Sequence, residues 1–341
     1  MRILVVKLSS LGDLIHALPA VHNLKVGLAA DVDWVTQPEY VELVRCFEDV
    51  SDVIPFPRHE TVLKGGEFLR RLRLRRYDLA VDFQGLLKSA VVCRLARARH
   101  VLGPSFRREG AGLLYHAVAG ARNKERHAVE ENLDVVRHLG LEVLPAAFPI
   151  RVTPPAGLPA HPRVAVLPVS RRANKNWPEE RYIEVVRRLR RERGAHVFCL
   201  GGNADRPVCA EIVRVVNAED SGPPVLDLTG QTSLVEMAGL LGGMDLAIGN
   251  DSGPIHVAAA LGVPVLAIFG PTDPGRTGPY GSLHRVMVAS VGCRPCHRRD
   301  CAKVMALCLE EVTAAKVLET AEVMLDSDDR CRPADNGSGH V

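Results

Sequence analysis

The residues best suited to chemistry fall in three places along the chain. The richest is Asp245–Phe269, DLAIGNDSGPIHVAAALGVPVLAIF. Its apolar start reads as a buried strand over 245–248, and Gly249–Gly253 as a turn of residues that tolerate unusual backbone angles. Pro254 occupies a first helical position, His256–Leu261 reads as helix, Gly262 as its stop and Val263–Phe269 as a second strand. A helix that starts this way presents free N–H groups and the positive end of its dipole behind a glycine, which suits a phosphate or diphosphate. Taken by shape alone, the same turn is equally a plain turn, with Asp251 as a helix cap and His256 as a packed histidine.

The second place is the loop Ser9-Ser10-Leu11-Gly12-Asp13, which follows the strand-like run Arg2–Leu8. Asp13 caps a helix on one reading. On the other it is a general base facing a cleft, able to take the proton of an attacking hydroxyl. The loop is not G-x-G-x-x-G, which argues against a nicotinamide or flavin dehydrogenase. The third place is LPVSRRANKNWPEERY (167–182), where Lys175 precedes Trp177-Pro178. A lysine there is a surface residue or a charge set against a departing diphosphate. Ser233 or Thr232 can cap the next helix, which puts Glu236 in its first turn with capping-box spacing.

These residues need elements to hold them. From Arg2 to Ala98 the pattern alternates strand and helix, and it does so again from Arg163. Such alternation gives parallel sheets with helices on both faces. Between the two runs, residues 145–162 carry six prolines. The expectation is an α/β protein with an N-terminal Rossmann-like domain over 1–150, a Pro-rich linker over 151–162 and a second Rossmann-like domain over 163–312. A last helix over 313–325 and a disordered polar tail over 326–341 complete it. Ligands of open α/β sheets bind beyond the carboxyl ends of the strands, and two such ends can face each other across a cleft.

Composition narrows the partners. Aromatic residues are 4% and the formal net charge is +3, so no nucleic-acid partner is expected. No apolar run reaches 18 residues, no secretory leader is read at Met1, and nine cysteines in a long chain fit reduced thiols; a cytoplasmic location is expected. Lys64, Arg70, Arg71, Arg73, Arg75 and Arg76 crowd one segment, with Arg107, Arg108, Lys124, Arg126 and His127 further on. Each is ordinarily a solvated surface residue. As a group they suggest an anionic partner at a membrane surface. Cys293, Cys296, Cys301 and Cys308 run C-x2-C-x4-C-x6-C, which leaves structural zinc open.

GNDSGPIHVAAALG followed by FGPTDP resembles the nucleotide-binding segment of family 9 glycosyltransferases, the bacterial lipopolysaccharide heptosyltransferases. VVKLSSLGDLIHALPA and DFQGLLKS resemble heptosyltransferase I, and T-S-L-V-E and the Lys175 loop resemble other segments of the family. Pro168-Val169 stand where the family has small residues before the serine. The likeness runs from residue 2 to about 325. It implies a GT-B fold of two Rossmann-like domains and inverting transfer from ADP-L-glycero-β-D-manno-heptose to a Kdo residue of the lipid A inner core. It also implies catalysis without metal or cofactor, at the cytoplasmic face of the inner membrane. By that likeness Asp13 is the base and Lys175 the charge on the leaving group. Ser170, Glu236, Asp251, Ser252, Gly253 and His256 bind the nucleotide sugar, with Glu236 at the ribose, and Ser10, Gln84 and Lys88 the anionic acceptor; Lys64 and Arg71, from the basic cluster, are expected at the same acceptor. Two alternatives stay open: a family 9 transferase with another sugar or acceptor, such as the second core heptose, and a nucleotide-sugar-binding protein without turnover.

Overall fold

The computed structural model describes residues 1–57, 61–219, 222–298, 300–301 and 307–328, with backbone alone at 61–64 and 328. The side chain of Lys64 and the expected tail from residue 329 onward lie outside the described residues.

Among the described residues, twelve strands form two parallel six-stranded sheets. The first holds β1 (Arg2–Val6), β2 (Asp31–Thr36), β3 (Val50–Pro55), β4 (Leu79–Asp82), β5 (His100–Pro104) and β6 (Ala117–Ala119). The second holds β7 (Arg163–Leu167), β8 (His196–Cys199), β9 (Leu226–Asp227), β10 (Leu246–Asn250), β11 (Val265–Phe269) and β12 (Arg285–Val288). Their orders are β3-β2-β1-β4-β5-β6 and β12-β11-β10-β7-β8-β9. Counted from its own first strand, the second sheet repeats the order of the first, so the expected pair of Rossmann-like halves is present. In each sheet the chain reverses direction across the sheet beside its first strand, between β1 and β4 and between β7 and β10. That is where α/β sheets open a crevice for ligands.

The central strands are apolar along their length because helices cover both faces. Residues 3–6 of β1 and 164–167 of β7 are buried throughout. The outer face of each sheet has its own core, around Leu4, Val6 and Val101 in one lobe and Val164, Ile248 and Leu318 in the other. The inner core is shared, running from Val5 and Leu14 to Ile255 and Ala267.

That shared core forms where two helices meet, Leu11–Gly27 from the first lobe and Gly253–Ala260 from the second. Two glycines permit the approach. A Cβ on Gly12 would lie 2.6 Å from Cδ2 of His256, and one on Gly253 would lie 2.7 Å from Cβ of Leu11. Gly253, expected to serve ligand approach, therefore also serves lobe packing.

β5, β6 and β12 went unread in the sequence for local reasons. β5 ends in Gly-Pro, which signals a turn; β6 has three residues; β12 is a half-exposed edge. The final helix spans Ala314–Asp328, three residues beyond the expected end, and packs on the Glu179–Arg193 helix. No helix among the described residues is long and apolar enough to cross a membrane.

Candidate active site

The loop after β1 is held from behind. Gln84 Oε1 accepts the backbone N–H groups of Leu8 and Ser9 at 3.0 and 3.1 Å. Asp82, at the end of β4, accepts Tyr115 Oη at 2.6 Å, Ser89 Oγ at 2.7 Å and the Gln84 and Gly85 amides at 2.7 and 3.0 Å. Burial pushes the Asp82 carboxyl up against the opposing pull of these four bonds. Gln84, expected at the acceptor, thus uses its carbonyl to set the loop that carries Asp13.

Ser10 is the N-cap of the Leu11–Gly27 helix and Asp13 its third residue. Asp13 Oδ2 accepts the Ser10 backbone N–H at 2.9 Å and the Ser10 hydroxyl at 2.8 Å. Asp13 is therefore the far half of a capping box and not the cap itself. Its Oδ1 makes no hydrogen bond among the described residues. Burial pushes the Asp13 carboxyl up, but Lys7, the Ser10 bonds and nearby His16 outweigh it, and the net shift is downward. The group is ionised at neutral pH with one oxygen free, which is the state a general base requires.

Lys7 is the charge that sequence reading passed over. It is a lysine buried in an apolar run, with Nζ donating to the Phe83 carbonyl at 2.7 Å. The signal was present: a lone cation between Val6 and Leu8, six residues before a candidate carboxylate.

The opposite wall rises from β7 and β10. Lys175 Nζ donates to Asp251 Oδ2, and Thr272 Oγ1 donates to the same oxygen at 2.6 Å. Asp251 is buried, so its carboxylate fixes Lys175 and does not stand open to a ligand. Asn250, wholly buried, accepts the Trp177 amide at 3.1 Å and Tyr182 Oη at 3.0 Å, and donates to the Pro168 carbonyl. It ties the whole 168–177 loop to β10. Pro168 lacks an N–H but serves here through its oxygen. The Ser170 hydroxyl stays inside that loop, 3.0 Å from both Arg172 O and Asn176 Oδ1.

Ser252 caps the Gly253–Ala260 helix, yet its hydroxyl is buried and partnerless. A polar atom left this way costs about 1–3 kcal/mol, so its environment is incomplete without another polar group. His256 is buried in the seam, and its imidazole pKa is held down to about 3. Burial is the largest cause; Asp13 raises it, while His127 and Lys175 lower it. One imidazole thus lies within electrostatic reach of Asp13 from one lobe and Lys175 from the other.

His16 continues the seam. Its ring lies 4.6 Å from that of His256 and 5.2 Å from that of His127, and both of its nitrogens are buried without partners. Burial, His256 and His127 hold its pKa well below the usual histidine range. Beside it, His127 Nε2 donates to Gly278 O at 3.0 Å, and Tyr280 Oη donates to Glu130 Oε1 at 2.7 Å.

Three other expected residues stand apart from this group. Arg71 faces β3, donating to Val53 O at 3.3 Å beside Asp52. Glu236 is exposed and closes its capping box, accepting the Ser233 N–H at 2.7 Å while Ser233 Oγ accepts the Glu236 N–H at 3.2 Å. Lys88 is exposed near the start of the Leu87–Leu95 helix. Of the cysteines, Cys293, Cys296 and Cys301 are exposed and Cys308 is buried. Burial and the three neighbouring thiols push the Cys308 thiol up. Among the described residues no group of three or more His, Cys, Asp or Glu is arranged to hold a metal.

Residues 66–306 match the profile of Glycosyltransferase family 9 (heptosyltransferase), which is most of the chain. The chain belongs to glycosyltransferase family 9. It is 33% identical over 322 residues to lipopolysaccharide heptosyltransferase 1 of Pseudomonas aeruginosa, covering 88% of this chain and 87% of that one. It is 26% identical over 353 residues to lipopolysaccharide heptosyltransferase 2 of Salmonella typhimurium, covering 96% and 99%. An E. coli heptosyltransferase solved with ADP superposes with a TM-score of 0.77 at 25% identity, covering 95% of this chain and all of that one. The GT-B architecture and the glycosyltransferase class follow. Where the two sheets reverse, Ser10, Asp13 and Gln84 lie beyond the strands of the first and Ser170, Lys175 and Asp251–His256 beyond those of the second, while Arg71, Lys88 and Glu236 stand apart.

Proposed function

We propose that this family 9 enzyme transfers L-glycero-D-manno-heptose from ADP-heptose to a Kdo residue of the lipid A-linked inner core, with inversion, in lipopolysaccharide core synthesis. The observation that carries the reading is a pair of groups on facing lobes: Asp13, ionised with only one oxygen engaged, and Lys175, fixed by the buried Asp251, both within electrostatic reach of His256. A displacement needs those two charges on opposite sides of one anomeric carbon.

In this mechanism the acceptor hydroxyl attacks the anomeric carbon as Asp13 Oδ1 takes its proton. The bond from that carbon to the diphosphate oxygen breaks on the opposite face, and ADP departs. Lys175 offsets the charge that builds on the diphosphate, and the Ser252 hydroxyl and the N–H groups opening the Gly253–Ala260 helix receive it. Glu236 would take the ribose and Lys88 the acceptor's anionic groups. Closure of the two lobes over the donor would keep water from it. Such an acceptor places the enzyme at the cytoplasmic face of the inner membrane.

The higher identity to a heptosyltransferase 1 favours the first transfer, and the near-complete coverage of a heptosyltransferase 2 keeps the second as the competing reading. ADP release from ADP-heptose separates them. The first transfer predicts release with Kdo-lipid A and little with an acceptor that already bears one heptose; the reverse pattern assigns the second transfer. ADP binding without release on either acceptor would leave a binding protein.

A further inference from the structure

The Leu87–Leu95 helix buries Ser89, Ala90, Val92 and Cys93 against the first sheet. Its outer face holds Leu87, Val91 and Leu95, spaced i, i+4, i+8, with exposures of 45%, 40% and 36%. At 100° per residue those three side chains form one stripe about 12 Å long. Leu113, 91% exposed, projects from the short turn of helix Ala111–Leu114 that packs beside it. With Leu74 these make five of the eleven large apolar side chains exposed among the described residues, gathered within residues 74–113.

The same forty residues carry eight Lys and Arg against three Asp and Glu, a balance of +5, while the whole chain carries +3. The remaining residues therefore sum to −2. Arg94 sits on the helix beside the stripe, and Arg97, Arg107 and Arg108 are exposed around it. An apolar ridge with cations interleaved matches an anionic lipid surface, where basic groups meet headgroup phosphates and the aliphatic tips enter the interface. A second copy of the chain fits poorly, because a two-fold contact would set two faces of the same sign against each other.

We propose that the outer face of the Leu87–Leu95 helix, with Leu113, is the surface by which this protein docks on an anionic bilayer. The helix begins a few residues past Gln84, so its first turn lies at the crevice end of the first lobe, while its buried face packs on that lobe's outer core. Docking there would hold the lobe that carries Asp13 against the bilayer that bears the acceptor. This rests on the lipid-linked acceptor proposed above, but the surface can be tested without any sugar.

The experiment is co-sedimentation of the full chain with vesicles rich in phosphatidylglycerol and with vesicles of pure phosphatidylcholine. The wild type should sediment with the anionic vesicles, be released by high salt and stay in solution with the neutral ones. Val91→Asp/Leu95→Asp/Leu113→Asp and, separately, Arg94→Gln/Arg108→Gln should each weaken partitioning by about tenfold or more. Both variants should remain folded at the assay temperature; because Arg94 also bonds His116 at 2.9 Å and Val91 and Leu95 are only part exposed, melting temperatures are measured alongside, and Leu113→Asp and Arg108→Gln alone should show the same direction of change. Transfer to a delipidated, soluble acceptor should be unaffected, while transfer to an acceptor embedded in vesicles should fall with partitioning. If both variants sediment like the wild type, or the wild type ignores anionic vesicles, the docking surface is wrong. Failure of heptose transfer with vesicle binding intact would instead overturn the acceptor reading. A concentration-dependent dimer that the apolar triple variant abolishes, without vesicle binding, would assign the stripe to a second copy.

Discussion

The two walls of the cleft are built on the same strand order but hold their charges in opposite ways. In the first lobe, neutral contacts do the positioning: Gln84 props Leu8 and Ser9, Ser10 holds one oxygen of Asp13, and the other oxygen stays open. In the second lobe, charge holds charge. Lys175 is fixed by Asp251, itself seated by Thr272. The difference follows from what each group must do. A base has to exchange a proton, so a tight cationic partner would disable it. A lysine facing a leaving diphosphate only has to stay charged and in place, and a buried carboxylate secures both.

The contrast can be broken most severely at the open carboxylate. Asp13→Asn keeps the Oδ geometry but cannot take the proton, so kcat should fall by about 10²–10⁴ with ADP affinity and melting temperature nearly unchanged. Initial rates and calorimetry with ADP check this. Lys175→Met should differ in kind. Turnover should fall by about 10²–10³, and stability should fall as well, by about 3 kcal/mol, because a buried Asp251 is left without its cation. Adding Asp251→Asn should restore the stability measured by urea unfolding and leave turnover low. If the double variant regains turnover, the lysine serves only the fold.

Asn250→Ala tests the scaffold behind the second wall. It strands the Trp177 amide and the Pro168 carbonyl, so a loss of about 2–4 kcal/mol is expected in denaturant unfolding, with weaker ADP binding as the 168–177 loop loosens. The smallest effect lies in the seam. His16 and His256 are held neutral when folded, so well above pH 6.5, where the unfolded chain's histidines are neutral too, they leave stability flat with pH. As pH falls below 6.5, the unfolded chain takes up protons that the buried rings refuse, and stability drops towards pH 3, where His256 would itself become charged. His16→Leu should flatten part of that slope. Because neither ring nitrogen has a partner, it should also leave stability at neutral pH equal or higher by about 1 kcal/mol. Thermal melts across the range read both.

Much of this was legible in the chain. The strand–turn–helix of 245–269 and the carboxylate at the end of the first strand follow from local periodicity and turn chemistry, which act over a few residues. The hidden part was pairwise and distant. Asp251 reads as a cap because nothing local shows that its partner is a lysine 76 positions earlier. Gln84 reads as a ligand contact because its partners, Leu8 and Ser9, come adjacent only once β1 and β4 pair. Gly12 and Gly253 read as turn residues until the lobes meet. Lys7 could have been suspected, since an unpaired lysine inside a buried strand is costly and needs a reason.

The most direct test is the structure of the chain with an unreactive ADP-heptose analogue. The diphosphate should lie on Ser252 and Lys175, with the face of the sugar opposite the leaving group turned toward Asp13 Oδ1 and close enough to admit one acceptor hydroxyl between them. A diphosphate bound away from the start of the Gly253–Ala260 helix, or an anomeric carbon that Asp13 cannot reach through one hydroxyl, would contradict the account.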